Sequence, residues 1–206
     1  MITAEQMRQL EFKAVQEGVS LETLMENAGK GVFEAIKEKY NTENKQIVVF
    51  CGPGNNGGDG FVAARYFHEA GNFVTILFFG DKWGLSEEAR LNYNLIKDKV
   101  NIISIVSKED LQCFHFQKDL QFILIDALLG TGIKGELREL MGLAIDCFNS
   151  ISGIKVAVDV PSGLNPDTGA GEKFCQADLI VCLHDIKQGL EKLKRKCVVV
   201  GIGIVE

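Results

Sequence analysis

The sequence has 206 residues, a hydrophobic content of 46%, a charged content of 24% and a formal net charge of −6 at pH 7. This composition is typical of a globular protein, and the negative charge argues against the basic surface that non-specific nucleic-acid binding needs. The six scattered cysteines indicate neither zinc nor disulfides, and no window is apolar enough for a membrane span, so a cytoplasmic protein with no membrane partner is expected.

Two helices are predicted before the first strand. Residues 3–6 have the form of a capping box, and the helix that they start ends at Gly18. Ser20 is the predicted N-cap of a longer helix whose apolar residues lie on one stripe. The two helices could cover the sheet, lid the site or form a dimer contact, and the sequence leaves these alternatives open.

A glycine-rich stretch at residues 52–60 follows an apolar run at 46–51 and precedes a helical pattern at 61–70. A strand, a glycine turn and a helix together form an arrangement that binds anions, which predicts a phosphate-bearing small molecule. The stretch formally satisfies the dinucleotide fingerprint, with Asp81 near the position of a ribose-binding acid. The alternative is a tight turn without a ligand. The stretch lacks the Gly-Lys-Ser/Thr ending of a triphosphate-binding loop, which disfavours phosphoryl transfer.

The rest of the chain alternates apolar runs with amphipathic segments. We expect helices from Ser86 and over residues 138–150, and strands at about 73–79, 101–105, 122–127, 155–160, 177–183 and 198–205. This alternation predicts a mostly parallel sheet that is covered on both faces. Because no repeat or linker interrupts it, residues 1–206 are interpreted as one domain.

Three acidic residues, Asp59, Asp126 and Asp159, adjoin predicted strand ends and should face one cleft. Close carboxylates repel each other, which raises the pKa of one of them unless a cation lies between them. Asn56 and Ser162 could supply neutral oxygen ligands, and such a set suits a hard cation. Alternatively, Asp126 or Asp159 only caps its following turn. Lys134 is either a phosphate contact or a solvated loop residue.

These motifs together resemble the NAD(P)H-hydrate epimerase family, the family of the YjeF N-terminal domain. The matching blocks are residues 24–29, 52–60, 126–132, 158–164 and 187–190. The resemblance implies a Rossmann-like three-layer α/β/α sandwich with a mostly parallel central sheet and two N-terminal helices, forming a homodimer. It also implies interconversion of the R and S epimers of NADHX and NADPHX, which are hydrated at C6 of the nicotinamide ring. A separate NAD(P)H-hydrate dehydratase, which accepts the S form, would then restore the cofactor.

The resemblance also carries over individual residues. It places potassium ligands at Asn56, Asp126 and Ser162, the oxygen set described above. As the acid/base group that epimerisation needs, Asp159 is our first choice and Lys134 our second. The hydrate-binding positions that it implies are Asn55, Asn56, Gly57, Gly58, Asp59, Gly130, Thr131, Gly132, Ile133, Lys134, Gly135, Glu136 and Asp159.

Two alternative functions use the same first glycine turn. An NAD(P)-dependent oxidoreductase would also need a second substrate and a hydride acceptor, which the sequence does not show. A nucleotide-binding module without catalysis would keep the cleft. The sequence does not choose between NADHX and NADPHX, nor between a stand-alone enzyme and one half of a bifunctional one.

Overall fold

Seven strands form one sheet in the computed structural model, which describes residues 1–112, 120–132 and 137–204. The strands are β1 (Gln46–Cys51), β2 (Phe73–Phe79), β3 (Asn101–Ile105), β4 (Phe122–Ala127), β5 (Ile154–Val158), β6 (Leu179–Leu183) and β7 (Cys197–Val200). Their order in the sheet is β3-β2-β1-β4-β5-β6-β7, and every neighbouring pair is parallel. The chain therefore builds one half of the sheet outward from β1 and then returns to β4 on its other side.

Helices cover both faces of this sheet. They are α1 (Ala4–Gln16), α2 (Leu21–Lys39), α3 (Asn55–Glu69), α4 (Glu87–Ile96), α5 (Lys108–Gln112) and α6 (Glu139–Ser150), and a 3₁₀ helix spans Gln188–Lys196. Val49 and Ile125 pack with α2, α3 and α4 on one face, whereas Leu77 and Leu124 pack with α6 on the other. The predicted three-layer α/β/α sandwich with two N-terminal helices is confirmed.

The predicted starts of the N-terminal helices are confirmed. The Thr3 hydroxyl accepts from the Gln6 amide, and the Gln6 side chain accepts from the Thr3 amide, which completes the capping box. Ser20 accepts from the Thr23 amide at the start of α2. A further bond from the Ala4 amide to Asp167 Oδ1, 2.7 Å long, ties the start of α1 to the loop after β5. That bond places α1 beside the carboxyl ends of the strands.

The glycine-rich stretch differs from its prediction because α3 begins at Asn55 and not near residue 61. Gly54 is the N-cap, in extended backbone, and the Gly58 amide already donates to its carbonyl. A Cβ on Gly57 would lie 1.9 Å from the Gly52 carbonyl oxygen, so a glycine is required where α3 starts this close to the end of β1.

The last strands are shorter than predicted, and two helices were missed. Strand β5 ends at Val158 because Asp159 takes a left-handed backbone conformation, with φ of 64°. The short helix α5 and the 3₁₀ helix Gln188–Lys196 were not predicted. Among the residues that the structure describes, no helix is long and apolar enough to cross a membrane.

Candidate active site

A cleft of about 590 Å³ opens at the carboxyl ends of β1, β4 and β5. Strands β1 and β4 are the neighbours at which the strand order reverses, and ligands bind at this position in open parallel sheets. The volume lies within the range of small-molecule sites. The cleft is lined by Arg8, Glu11, Pro53, Gly54, Asn55, Asn56, Asp59, Leu128, Leu129, Gly130, Thr131, Gly132, Leu137, Arg138, Met141, Asp159 and Leu183.

The first turn of α3 forms one wall of this cleft. Gly54 has no side chain to cap the helix, and no side chain of the described residues forms a capping hydrogen bond there. The amides of the first turn have no partner inside the helix, and the helix dipole adds positive potential at the same end. Asn55 and Asn56 stand at this terminus and line the cleft. This wall is therefore suited to bind the phosphate of a ligand.

Two carboxyl groups on the walls of the cleft are held under unusual electrostatic conditions. Asp59 is 7% exposed and accepts no hydrogen bond from the described residues. Burial, followed by the charges of Asp159 and Glu11, raises the pKa of Asp59 well above its usual value. Burial and the charge of Asp159 also raise the pKa of Glu11, which lies on α1. Both groups therefore keep a proton to higher pH than an ordinary surface carboxyl.

Asp159 has a different environment because it pairs with a buried lysine. The ammonium of Lys187 donates a short hydrogen bond to Asp159 Oδ1, and the Leu183 amide donates to the same oxygen at 3.0 Å. Asp159 Oδ2 accepts no hydrogen bond from the described residues, and the side chain lines the cleft. One carboxylate oxygen is thus anchored in the protein, and the other is left for a ligand.

The three residues expected to bind potassium belong to one hydrogen-bonded chain beneath the cleft. The side-chain amide of Asn56 donates to the Leu129 carbonyl at 2.9 Å, and the backbone amide of Leu129 donates to Ser162 Oγ at 2.9 Å. The hydroxyl of Ser162 donates to Asp126 Oδ1 at 2.5 Å, and its amide donates to Asp126 Oδ2 at 2.8 Å. The structure therefore brings Asn56, Asp126 and Ser162 together.

The expectation that Asp126 faces the cleft is wrong. Its side chain is 0% exposed, and the Leu128 amide also donates to it, as in the turn-capping alternative. Burial raises the pKa of Asp126, against the opposing effect of the bonds from Ser162, Leu128 and Cys175. Asp81 caps its own loop by accepting from the Trp83 amide at 2.7 Å and does not line the cleft, so it is not placed to bind a ribose there.

Most of the expected hydrate-binding positions surround the cleft. Those that line it are Asn55, Asn56, Asp59, Gly130, Thr131, Gly132 and Asp159. Gly57 and Gly58 are buried within α3; a Cβ on Gly58 would lie 2.4 Å from Met25 Cε, so this position is needed for packing. The expected positions that fall outside the described residues are Ile133, Lys134, Gly135 and Glu136.

Sequence reasoning missed Arg8, Glu11 and Lys187 as residues of this site. The sequence does contain a signal for Glu11. Met7, Glu11 and Ala14 lie on one side of α1, and Met7 and Ala14 are buried. An acid on a buried stripe is a candidate functional residue. Lys187 belongs to a block of the family resemblance, but no local pattern shows that its side chain reaches Asp159.

The fold and the cleft define a Rossmann-like α/β domain with a ligand site at the switch point of a parallel sheet. A sequence profile of the family described as "YjeF-related protein N-terminus" matches residues 21–189, and the chain belongs to this family. Helix α1, which carries Arg8 and Glu11, lies before the matched region.

The relatives of the chain include proteins of two lengths. It is 37% identical to the NAD(P)H-hydrate epimerase of Nitrosopumilus maritimus, over 94% of this chain and 89% of the relative. It is 41% identical to the bifunctional NAD(P)H-hydrate repair enzyme Nnr of Pyrobaculum aerophilum, over 92% of this chain and 38% of the relative. The chain thus spans about two fifths of that bifunctional relative. The crystal structure of yeast ynu0 has the same fold, with a TM-score of 0.83 and 23% identity over 97% of this chain and 86% of the yeast chain.

Proposed function

We propose that this protein is an NAD(P)H-hydrate epimerase that interconverts the R and S forms of NADHX and NADPHX. The observation that carries this proposal is the pairing, in one cleft, of an anion-binding helix N-terminus with Asp59 and Asp159, two carboxyl groups in different electrostatic environments. The relatives named NAD(P)H-hydrate epimerase match nearly the whole chain, which supports the same function.

The reaction needs one proton donor and one proton acceptor near C6 of the hydrated ring, a carbon that bears both a hydroxyl and the ring nitrogen. Asp59 holds its proton because its pKa is raised by burial, so it donates that proton as the C6–O bond breaks and water leaves. The lone pair of the ring nitrogen forms the C=N bond of an iminium. Water then adds to the opposite face of C6, and Asp159 Oδ2 accepts one of its protons. A proton returns from Asp159 to Asp59 through solvent, so none is consumed.

Asn56, Asp126 and Ser162 would hold a potassium ion. The donors fit this group, because all of them are oxygens and Asn56 Oδ1 accepts no hydrogen bond from the described residues. When bound, potassium would supply positive charge that offsets the buried Asp126 carboxylate and the phosphates of the ligand.

We further propose a cytoplasmic homodimer that acts together with an NAD(P)H-hydrate dehydratase. The relative named as a bifunctional repair enzyme, which is longer than this chain, supports the functional coupling.

The test of this mechanism is the substitution Asp159→Asn, with Asp81→Asn as the matched control outside the cleft. The catalysed epimerisation rate of Asp159→Asn should fall by about 100-fold or more, the usual contribution of a general acid or base. Dinucleotide binding, measured by calorimetry, should persist, and Asp81→Asn should behave as the wild type. Near wild-type exchange by Asp159→Asn with binding retained would show that Asp159 is not the acid/base group.

A further inference from the structure

Lys187 is the only buried lysine or arginine among the described residues, and its exposure is 0%. Its ammonium donates to Asp159 Oδ1, to the Leu183 carbonyl at 2.8 Å and to the Asp185 carbonyl at 3.3 Å. These acceptors use all three N–H bonds of the ammonium. Since the other two acceptors are neutral carbonyls, Asp159 is the one carboxylate of the described residues that pairs with the buried charge.

The backbone at Asp159 works with this ion pair to orient the carboxylate. Asp159 lies in the left-handed conformation, and its amide donates to the Val181 carbonyl at 2.8 Å. Oδ1 is held by Lys187 and by the Leu183 amide. With the main chain and one oxygen fixed, the remaining freedom of the side chain is small, and Oδ2 is the atom left for the cleft.

The same ammonium acts on the other two carboxyl groups that line the cleft among the described residues. Its charge lowers the pKa of Glu11 and of Asp59, yet burial and the charge of Asp159 outweigh it, so both values are raised overall. Arg8 also lowers the pKa of Glu11. Of these three carboxyl groups, Asp159 is the one to which Lys187 donates a hydrogen bond.

We propose that Lys187 is a positioning residue for the epimerisation: by holding Oδ1 of Asp159, it aims Oδ2 of the same carboxylate at the bound hydrate. The inference rests on the proposed function, in which Asp159 is the proton acceptor. Lys187 contributes no atom to the reaction, since its three hydrogens are taken by protein oxygens. Without this lysine, Oδ1 of Asp159 would keep only the bond from the Leu183 amide among the described residues, and the carboxylate would be free to turn away from the cleft.

The decisive measurement separates kcat from KM for the catalysed epimerisation in Lys187→Met at pH 7, after subtraction of the spontaneous rate. We expect kcat to fall by about tenfold or more, because a proton acceptor that is no longer aligned with the substrate slows the chemical step. KM should change little, since Lys187 is buried and does not line the cleft. Lys196→Met is the matched control, since Lys196 donates to the Ala177 carbonyl away from the cleft, and it should keep the wild-type kcat and KM.

A purely structural role for Lys187 predicts another result, namely weaker substrate binding, seen as a raised KM together with the loss of rate, and that result would overturn the proposal. Lys187→Arg keeps a charged donor for Oδ1, so it should recover kcat relative to Lys187→Met. If Lys187→Met does not fold, as judged by circular dichroism, a loss of about tenfold or more in the kcat of a folded Lys187→Arg would refute the inference. Failure of the proposed function itself would be distinct, because the wild type would then not accelerate epimerisation.

Discussion

Ser162→Ala is expected to destabilise the protein strongly, because one hydroxyl holds several buried groups together. The Ser162 hydroxyl donates to Asp126 Oδ1 at 2.5 Å and accepts from the Leu129 amide at 2.9 Å. A hydrogen bond to a charged group contributes about 1.5–3 kcal/mol, and one between neutral groups about 0.5–1.5 kcal/mol. Because Asp126 keeps the bonds from the Ser162 and Leu128 amides, its carboxylate does not lose every partner. The expected loss is therefore about 2–4 kcal/mol.

Urea denaturation at pH 7 measures this loss directly, and thermal unfolding should show a decrease in Tm of roughly 5–15 °C for a domain of this size. The matched control is Ser150→Ala, since the Ser150 hydroxyl makes one exposed bond to the Cys147 carbonyl. This control should lie within about 0.5 kcal/mol of the wild type. Potassium should raise the Tm of the wild type and have less effect on Ser162→Ala. A loss in Ser162→Ala no larger than that in Ser150→Ala would refute the argument that this hydroxyl holds the network together.

Two further substitutions test the protonation states assigned to the cleft. Burial raises the folded-state pKa of Asp59, so the folded state binds this proton more tightly than the unfolded state, and the carboxyl costs stability as pH rises above its unfolded value. Asp59→Asn removes that cost, so its stability relative to the wild type should increase as the pH rises from 4 to 8, while epimerisation is lost. A pH-independent difference in urea denaturation would contradict this. Glu11→Gln should move the high-pH limb of the rate profile to lower pH, because the charge of Glu11 raises the pKa of Asp59. Glu17→Gln, exposed at the end of α1, should leave the profile unchanged, and an unchanged profile in Glu11→Gln would exclude a contribution of Glu11 to the site.

The architecture could be predicted from the sequence because its signals are local. The capping residues Thr3 and Ser20 mark helix starts through bonds to amides three residues later. Apolar runs between amphipathic segments then indicate strands buried on both faces, as found for β4, in which all six residues are buried. The start of α3 at Asn55 was missed because glycine and asparagine have low helix propensity. The first turn of α3 nevertheless requires small residues, because it lies close to the backbone of Gly52.

The site was less predictable because its chemistry depends on long-range placement. Asp126 lies on the same side of β4 as Leu124, which packs against α6, so it points beneath the cleft and not into it. Lys187 is completely buried, and it pairs with Asp159, which lies 28 residues earlier in the sequence. Such a contact depends on the loops after β5 and β6, and residue spacing alone carries no information on it.

The proposed function requires that this protein accelerate the exchange of the two hydrate epimers. The most direct measurement incubates the wild-type protein with purified (R)-NADHX in potassium buffer and follows the epimer ratio by chromatography. We expect conversion toward the S form faster than the spontaneous rate, with less acceleration when potassium is replaced. Conversion at the spontaneous rate, with dinucleotide binding still detected by calorimetry, would contradict the proposed function and indicate a binding module without catalysis.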